Sequence, residues 1–176
     1  ITFNIFGFAC VSMVPVIASQ SLGLSPFSIG LISSGEGFGA FMGSIMVAYF
    51  VVKNRFNQVY FFGACLYLVC LNVFSYSTNF WLSISVLVIG GVGMAGFSSM
   101  QASIIISNAP QQMRTRLMGV LTMCIGSGPI GILLVGLSAN KFGADSAVFF
   151  VSLLGLIIII VTGIIWPELL KVKKSQ

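Results

Sequence analysis

Histidine does not occur in this sequence, and acidic residues are nearly missing: Glu36, Asp145 and Glu168 are the only three. Acid–base and hydrolytic catalysis draws on clustered His, Asp or Glu, or on a nucleophile beside a base. Three scattered acids and no imidazole argue against an enzyme. Metal chemistry is equally poorly supplied. Cys10, Cys65, Cys70 and Cys124 all fall inside apolar segments, with no CxxC spacing. A zinc site would need thiolates gathered from separate helices, so neither metal nor cofactor is expected, and the thiols read as small hydrophobes. Charge of either sign is scarce too. Charged residues make up 6% of the chain and hydrophobic ones 57%, against about 25% charged residues in a soluble domain. Water is not its main solvent. The first segment also lacks a basic n-region and a convincing cleavage pattern, so it is expected to be a membrane span and not a signal peptide.

What is present is a series of apolar runs. Crossing a bilayer takes about 20 such residues, and six segments qualify, at 3–19, 26–52, 57–76, 80–107, 117–140 and 146–166. A polar, basic tail follows at 167–176. The expected fold is an all-α membrane protein, a single bundle of six transmembrane helices embedded in the lipid bilayer. Pro15 interrupts the first segment, and Ser25-Pro26 supplies an N-cap and first-turn proline for the second. The chain begins at Ile1, without Met and already in apolar sequence, which points to a fragment or a chain trimmed at a domain boundary.

The net charge of +5 is explained by topology and calls for no nucleic acid. Lys53, Arg55, Arg114, Arg116, Lys171, Lys173 and Lys174 fall on one side of the six-span arrangement, and only Lys141 on the other. Basic residues near membrane-helix ends favour the cytoplasm. Both termini are therefore expected inside, and the links at 20–25, 77–79 and 141–145 outside.

Glycine sorts the helices. Gly35, Gly39 and Gly43 form a stripe at i, i+4 and i+8 that lets another backbone approach closely. Gly90, Gly91, Gly93 and Gly96 crowd the fourth segment; Gly126, Gly128, Gly131 and Gly136 flank Pro129 in the fifth. The second, fourth and fifth segments are expected to pack tightly. The third and sixth, uniformly apolar, are expected to face lipid. The pattern divides into two triplets, each closing on an apolar helix, a 3+3 repeat.

Glu36 is the one acid within a span. A carboxylate in hydrocarbon costs several kcal/mol unless it faces protein or water, which makes it a candidate for function. Glu36, Gly39 and Gly43 share one helix face, so the carboxyl either looks into a cavity or is satisfied by Ser33, Ser34 or Gln101. Gln101, Asn4 and Ser12 are further cavity candidates. Arg114 and Arg116 read equally as topology signals and as braces for the loop between the fourth and fifth segments, bonded to helix carbonyls.

Two stretches, NAPQQMRTRLMG at 108–119 and GSGPIG at 126–131, together resemble the second half of a major facilitator superfamily transporter, in the branch of enterobactin exporters and macrolide-efflux-like carriers. Gly126, Gly128, Pro129 and Gly131 are similar to that superfamily's glycine-proline step, where a kink or a close helix contact is expected. Thr115 stands where the family's loop has glycine between arginines. At 43–59, Lys53 and Arg55 match the basic part of the signature loop, but Ala48 and Tyr49 stand where Ala-Asp is usual, so the family's charge-relay gate is not assigned there. The resemblance implies one half of a twelve-helix carrier with a missing N-terminal six-helix half, moving a small organic substrate by alternating access, as proton-coupled export. It also implies a multi-pass protein of the cell membrane, in a bacterium the inner membrane. A structural or assembly membrane subunit without transport activity fits the composition as well.

Overall fold

The structure, a computed structural model, describes residues 1–169; Lys171, Lys173 and Lys174, and the tail from residue 170, lie outside the described residues. Among the described residues, six helices are long and apolar enough to cross a membrane. They are α1 (Thr2–Gln20), α2 (Pro26–Phe50), α3 (Phe56–Ser75), α4 (Phe80–Asn108), α5 (Arg114–Ile125 continued by Gly128–Phe142) and α6 (Ala144–Ile165).

Helix boundaries follow local chemistry. The Ser25 hydroxyl accepts from the Ser28 amide at 3.4 Å, with Pro26 in the first turn of α2. The Asn79 side chain accepts from the Trp81 amide at 3.0 Å and starts α4. Gly143 ends α5 at φ 85°, a left-handed value that glycine adopts at little cost. Asp145 then occupies the first turn of α6, where the helix dipole favours an anion. It accepts a hydrogen bond from Ser21 at 2.5 Å, tying the α1–α2 link to α6.

Two helices are not continuous. In α1 the regular turns give way to a 3₁₀ stretch at Phe8–Met13, and Pro15 sits in the first turn of the resumed helix, Val14–Gln20. Proline offers no amide and crowds the carbonyl four residues back, so the disturbance falls upstream of it. In α5 the chain leaves the helix at Gly126-Ser127 and starts again at Gly128, with Pro129 in the new first turn. The Ser127 hydroxyl donates to the Cys124 carbonyl at 2.7 Å across the step.

Lipid supplies no hydrophobic drive between helices, so close packing and hydrogen bonds must hold them. α4 is the hub, clasped between α2 and α3. A Cβ on Gly39 would collide with the Val88 backbone, and one on Gly43 with the Val92 backbone. On the other flank Gly63 of α3 meets Gly93 and Phe97 in the same way. α6 packs on α3, and α1 lies against α6 and the second segment of α5. Buried Phe3, Ile17, Tyr67, Leu68, Phe74 and Leu87 fill the space between α1, α3 and α4.

The third segment is not a lipid-facing helix. α3 buries Phe61, Ala64, Tyr67, Leu68, Leu71 and Phe74, whereas the first segment of α5 buries nothing. Apolar side chains serve lipid and protein contact alike, so hydropathy does not separate the two. Gly119 and Gly136 of α5 have open space where a Cβ would sit.

Candidate functional site

Midway along α2, Glu36 is 7% exposed. The depth follows from its position, ten residues past Pro26, or about 15 Å at 1.5 Å per residue. Its carboxyl is turned toward α3, where the buried Tyr67 hydroxyl donates to Oε1 at 3.1 Å. Ser33 and Ser34 do not take that role. Their hydroxyls bond back to the carbonyls of Ile29 and Leu31 on their own helix. α4 lies against the backbone of this part of α2: a Cβ on Gly91 would meet the Glu36 carbonyl oxygen, so a bulkier residue there would pry the two helices apart.

Tyr67 is the participant that residue types alone did not point to, although one signal was available. Tyr60 and Tyr76 fall near the ends of their span, where amphipathic rings prefer to sit. Tyr67 falls in its middle, and a buried phenol requires an acceptor.

From Tyr67 a run of rings leads to the end of the bundle that carries the basic residues. Phe3 lies against Tyr67 with centroids 5.3 Å apart, stacks on Phe97 at 3.8 Å, and Phe97 stacks on Tyr60 at 4.7 Å. Tyr60 lines a cavity of about 420 Å³ between α3, α4, α5 and α6, together with Asn57, Gln101, Asn108, Thr162 and Trp166. A smaller cavity, about 210 Å³, opens beside Phe3 and shares Tyr60 and Thr162 with it. Glu36 lines neither cavity.

The remaining sequence candidates are dispersed. Gln101 belongs to the cavity at the basic end. Asn4 is buried in the first turns of α1 beside Phe3. Ser12 is exposed and donates to the Ala9 carbonyl at 2.7 Å. Gly35 faces Ile84 and completes the α2 stripe. In the α5 step only Gly131 meets another helix at close range, against Ile5 and Ala9 of α1; Gly126 contacts its own preceding turn, and Gly128 approaches the Phe8 ring at 3.9 Å. Arg114 and Arg116 stand in the first helical turn of α5, not in a loop. Arg114 Nε donates to the carbonyl of Ala109, the C-cap of α4, at 3.2 Å, while Arg116 is exposed. Lys53 and Arg55 are exposed in a short 3₁₀ turn, Lys53–Arg55, that joins α2 to α3.

Chemically, the arrangement offers a carboxyl midway along α2, a phenol that holds it, and, beyond a run of packed rings, a separate cavity with a few polar groups on a mainly apolar lining. Among the described residues no second acid or base stands beside Glu36 for bond-breaking chemistry; the arrangement suits proton exchange or recognition of a polar group. The family model described as Major Facilitator Superfamily matches residues 1–175. No curated protein matches the chain.

Proposed function

This chain belongs to the Major Facilitator Superfamily, a family of small-molecule transporters, and we propose that it is the C-terminal six-helix half of a proton-coupled exporter. The observation that carries the proposal is the Glu36–Tyr67 pair. Glu36 stands about midway along α2, which supports a role near the midplane, the depth at which carriers of this kind bind substrate and coupling ions between their halves. Glu36 would take up and release the coupling proton as the site opens alternately to the two sides. A small organic molecule would occupy the space between this half and an N-terminal six-helix half. The basic end of the bundle, with Lys53, Arg55, Arg114 and Arg116, would face the cytoplasm, in the bacterial inner membrane.

Reconstitution tests this reading against that of an assembly subunit. A panel of organic cations and anions is loaded into vesicles, and a pH step is imposed. The expected result is pH-driven movement of at least one compound when this chain is joined to a preceding six-span half, and none with this chain alone. Transport by the chain alone would refute the half-carrier reading. An inert full-length protein that nonetheless binds another membrane protein stoichiometrically would establish the subunit reading in its place.

A further inference from the structure

A further recess lies on the outer flank of α2 and α3, away from Glu36. Met46 and Phe50 of α2 and Phe62 and Leu66 of α3 wall a groove of about 350 Å³ whose floor is Gly93 and Gly96 of α4. Almost everything it presents is hydrocarbon. The walls stand open to the surroundings, with Phe50 78% and Phe62 57% exposed. We propose that this groove holds one acyl chain of an anionic phospholipid, whose phosphate rests on Lys53 and Arg55.

Dimensions, position and charge support that occupant. The α2 wall runs from Gly43 to Val51, eight residues or about 12 Å at 1.5 Å per residue. That is close to half of a hydrocarbon core about 30 Å thick, the depth of one leaflet. The lining of the groove is almost wholly hydrocarbon, and the groove runs lengthwise between α2 and α3, a shape and chemistry that suit an extended acyl chain. It ends where α2 and α3 meet, and the turn that closes it is Lys53–Arg55, both basic residues exposed. A lipid whose tail enters the groove therefore brings its phosphate to the headgroup level beside two cations, which attract anionic lipid strongly at that depth. Neither acid whose side chain is described opposes them. Glu36 is buried mid-helix, and Asp145 lies at the opposite end of the bundle. At the floor α3 and α4 touch: a Cβ on Gly93 would meet the Gly63 carbonyl oxygen and one on Gly96 the Val59 side chain, so these glycines let α3 sit close on α4.

Photocrosslinking in vesicles tests this directly. The full chain is reconstituted with a small fraction of phosphatidylglycerol carrying a photoactivatable group in one acyl chain, or with the matching phosphatidylcholine. Crosslinks are then mapped by peptide. Phosphatidylglycerol should label the segment 46–66 roughly fivefold more than phosphatidylcholine. Neutralising the turn (Lys53→Gln with Arg55→Gln) should bring the two yields together, whereas Arg114→Gln with Arg116→Gln should leave the preference in place. Equal yields in the unmodified protein would overturn the proposal. So would a preference that survives neutralisation of the turn, or no labelling of 46–66 by either lipid, which would mean that protein covers the groove.

Discussion

Tyr67 satisfies a buried carboxyl, and the consequence of removing its hydroxyl can be stated in energy. Tyr67→Phe keeps the ring, and with it the contact to Phe3, but leaves Glu36 without its donor. An unsatisfied buried polar group costs about 1–3 kcal/mol. Side-chain hydrogen bonds measured by double-mutant cycles in membrane proteins average about 0.6 and reach about 1.7 kcal/mol. A pair buried at mid-depth belongs in the upper part of that range. Unfolding in detergent of Tyr67→Phe, Glu36→Leu and the double variant should therefore give a coupling energy above about 1 kcal/mol. Additive single effects would show that the two groups act independently. At this scale the sequence was legible on one side only. An acid in an apolar run stands out by composition, so Glu36 was visible. Its donor comes from a helix 31 positions on, and which residue of α3 turns toward α2 is set by how both helices seat on α4. Ser33 and Ser34, nearer in the chain, bond to their own backbone instead.

Among the elements, α4 decides the geometry, and the glycines of its neighbours differ sharply in what they do. Gly39 lies directly on the Val88 backbone, with no flexible side chain to give way, whereas Gly136 of α5 has nothing near the position of a Cβ. Overpacking a tight interface costs about 1–3 kcal/mol or more, and glycine within a helix costs about 1 kcal/mol relative to alanine. The two alanine substitutions should therefore move stability in opposite directions. Gly39→Ala should lower the unfolding midpoint of this chain in detergent, and Gly136→Ala should leave it unchanged or raise it. A Gly39→Ala chain as stable as the parent would contradict the contact. The six spans were readable because membrane thickness sets their length, and the α2 stripe because small residues four apart share a face. What was not readable was which apolar helix is interior. α3 is central because its aromatic residues fill the space under α1 and α4, and α5 is open along most of its length. Apolar side chains meet either environment equally well. Hydropathy marks only the hydrocarbon part of a helix, so it leaves Arg114 and Arg116 in the link before the fifth segment, whereas α5 begins with them.

The whole molecule presents large apolar side chains to its surroundings: Phe38 and Phe41 of α2 and Met123, Leu133 and Leu137 of α5 are exposed, and α5 is the span with the smallest share buried. In the proposed carrier, part of this surface meets lipid and part meets the other six-helix half, with Glu36 buried behind α2 near the midplane. Alternating access would then require the carboxyl to reach water at least once per cycle; in the state described here it is buried and bonded to Tyr67. The account stands on that group. Glu36→Gln preserves size and most hydrogen bonding and removes the charge, so folding, insertion and abundance should match the parent. The decisive measurement is pH-gradient-driven transport by the reconstituted full-length protein, compared between parent and Glu36→Gln near neutral pH. The account predicts a loss of about tenfold or more, typical of removing a positioned proton-transfer group, with the protein still folded. Transport by Glu36→Gln at the parental rate would contradict it.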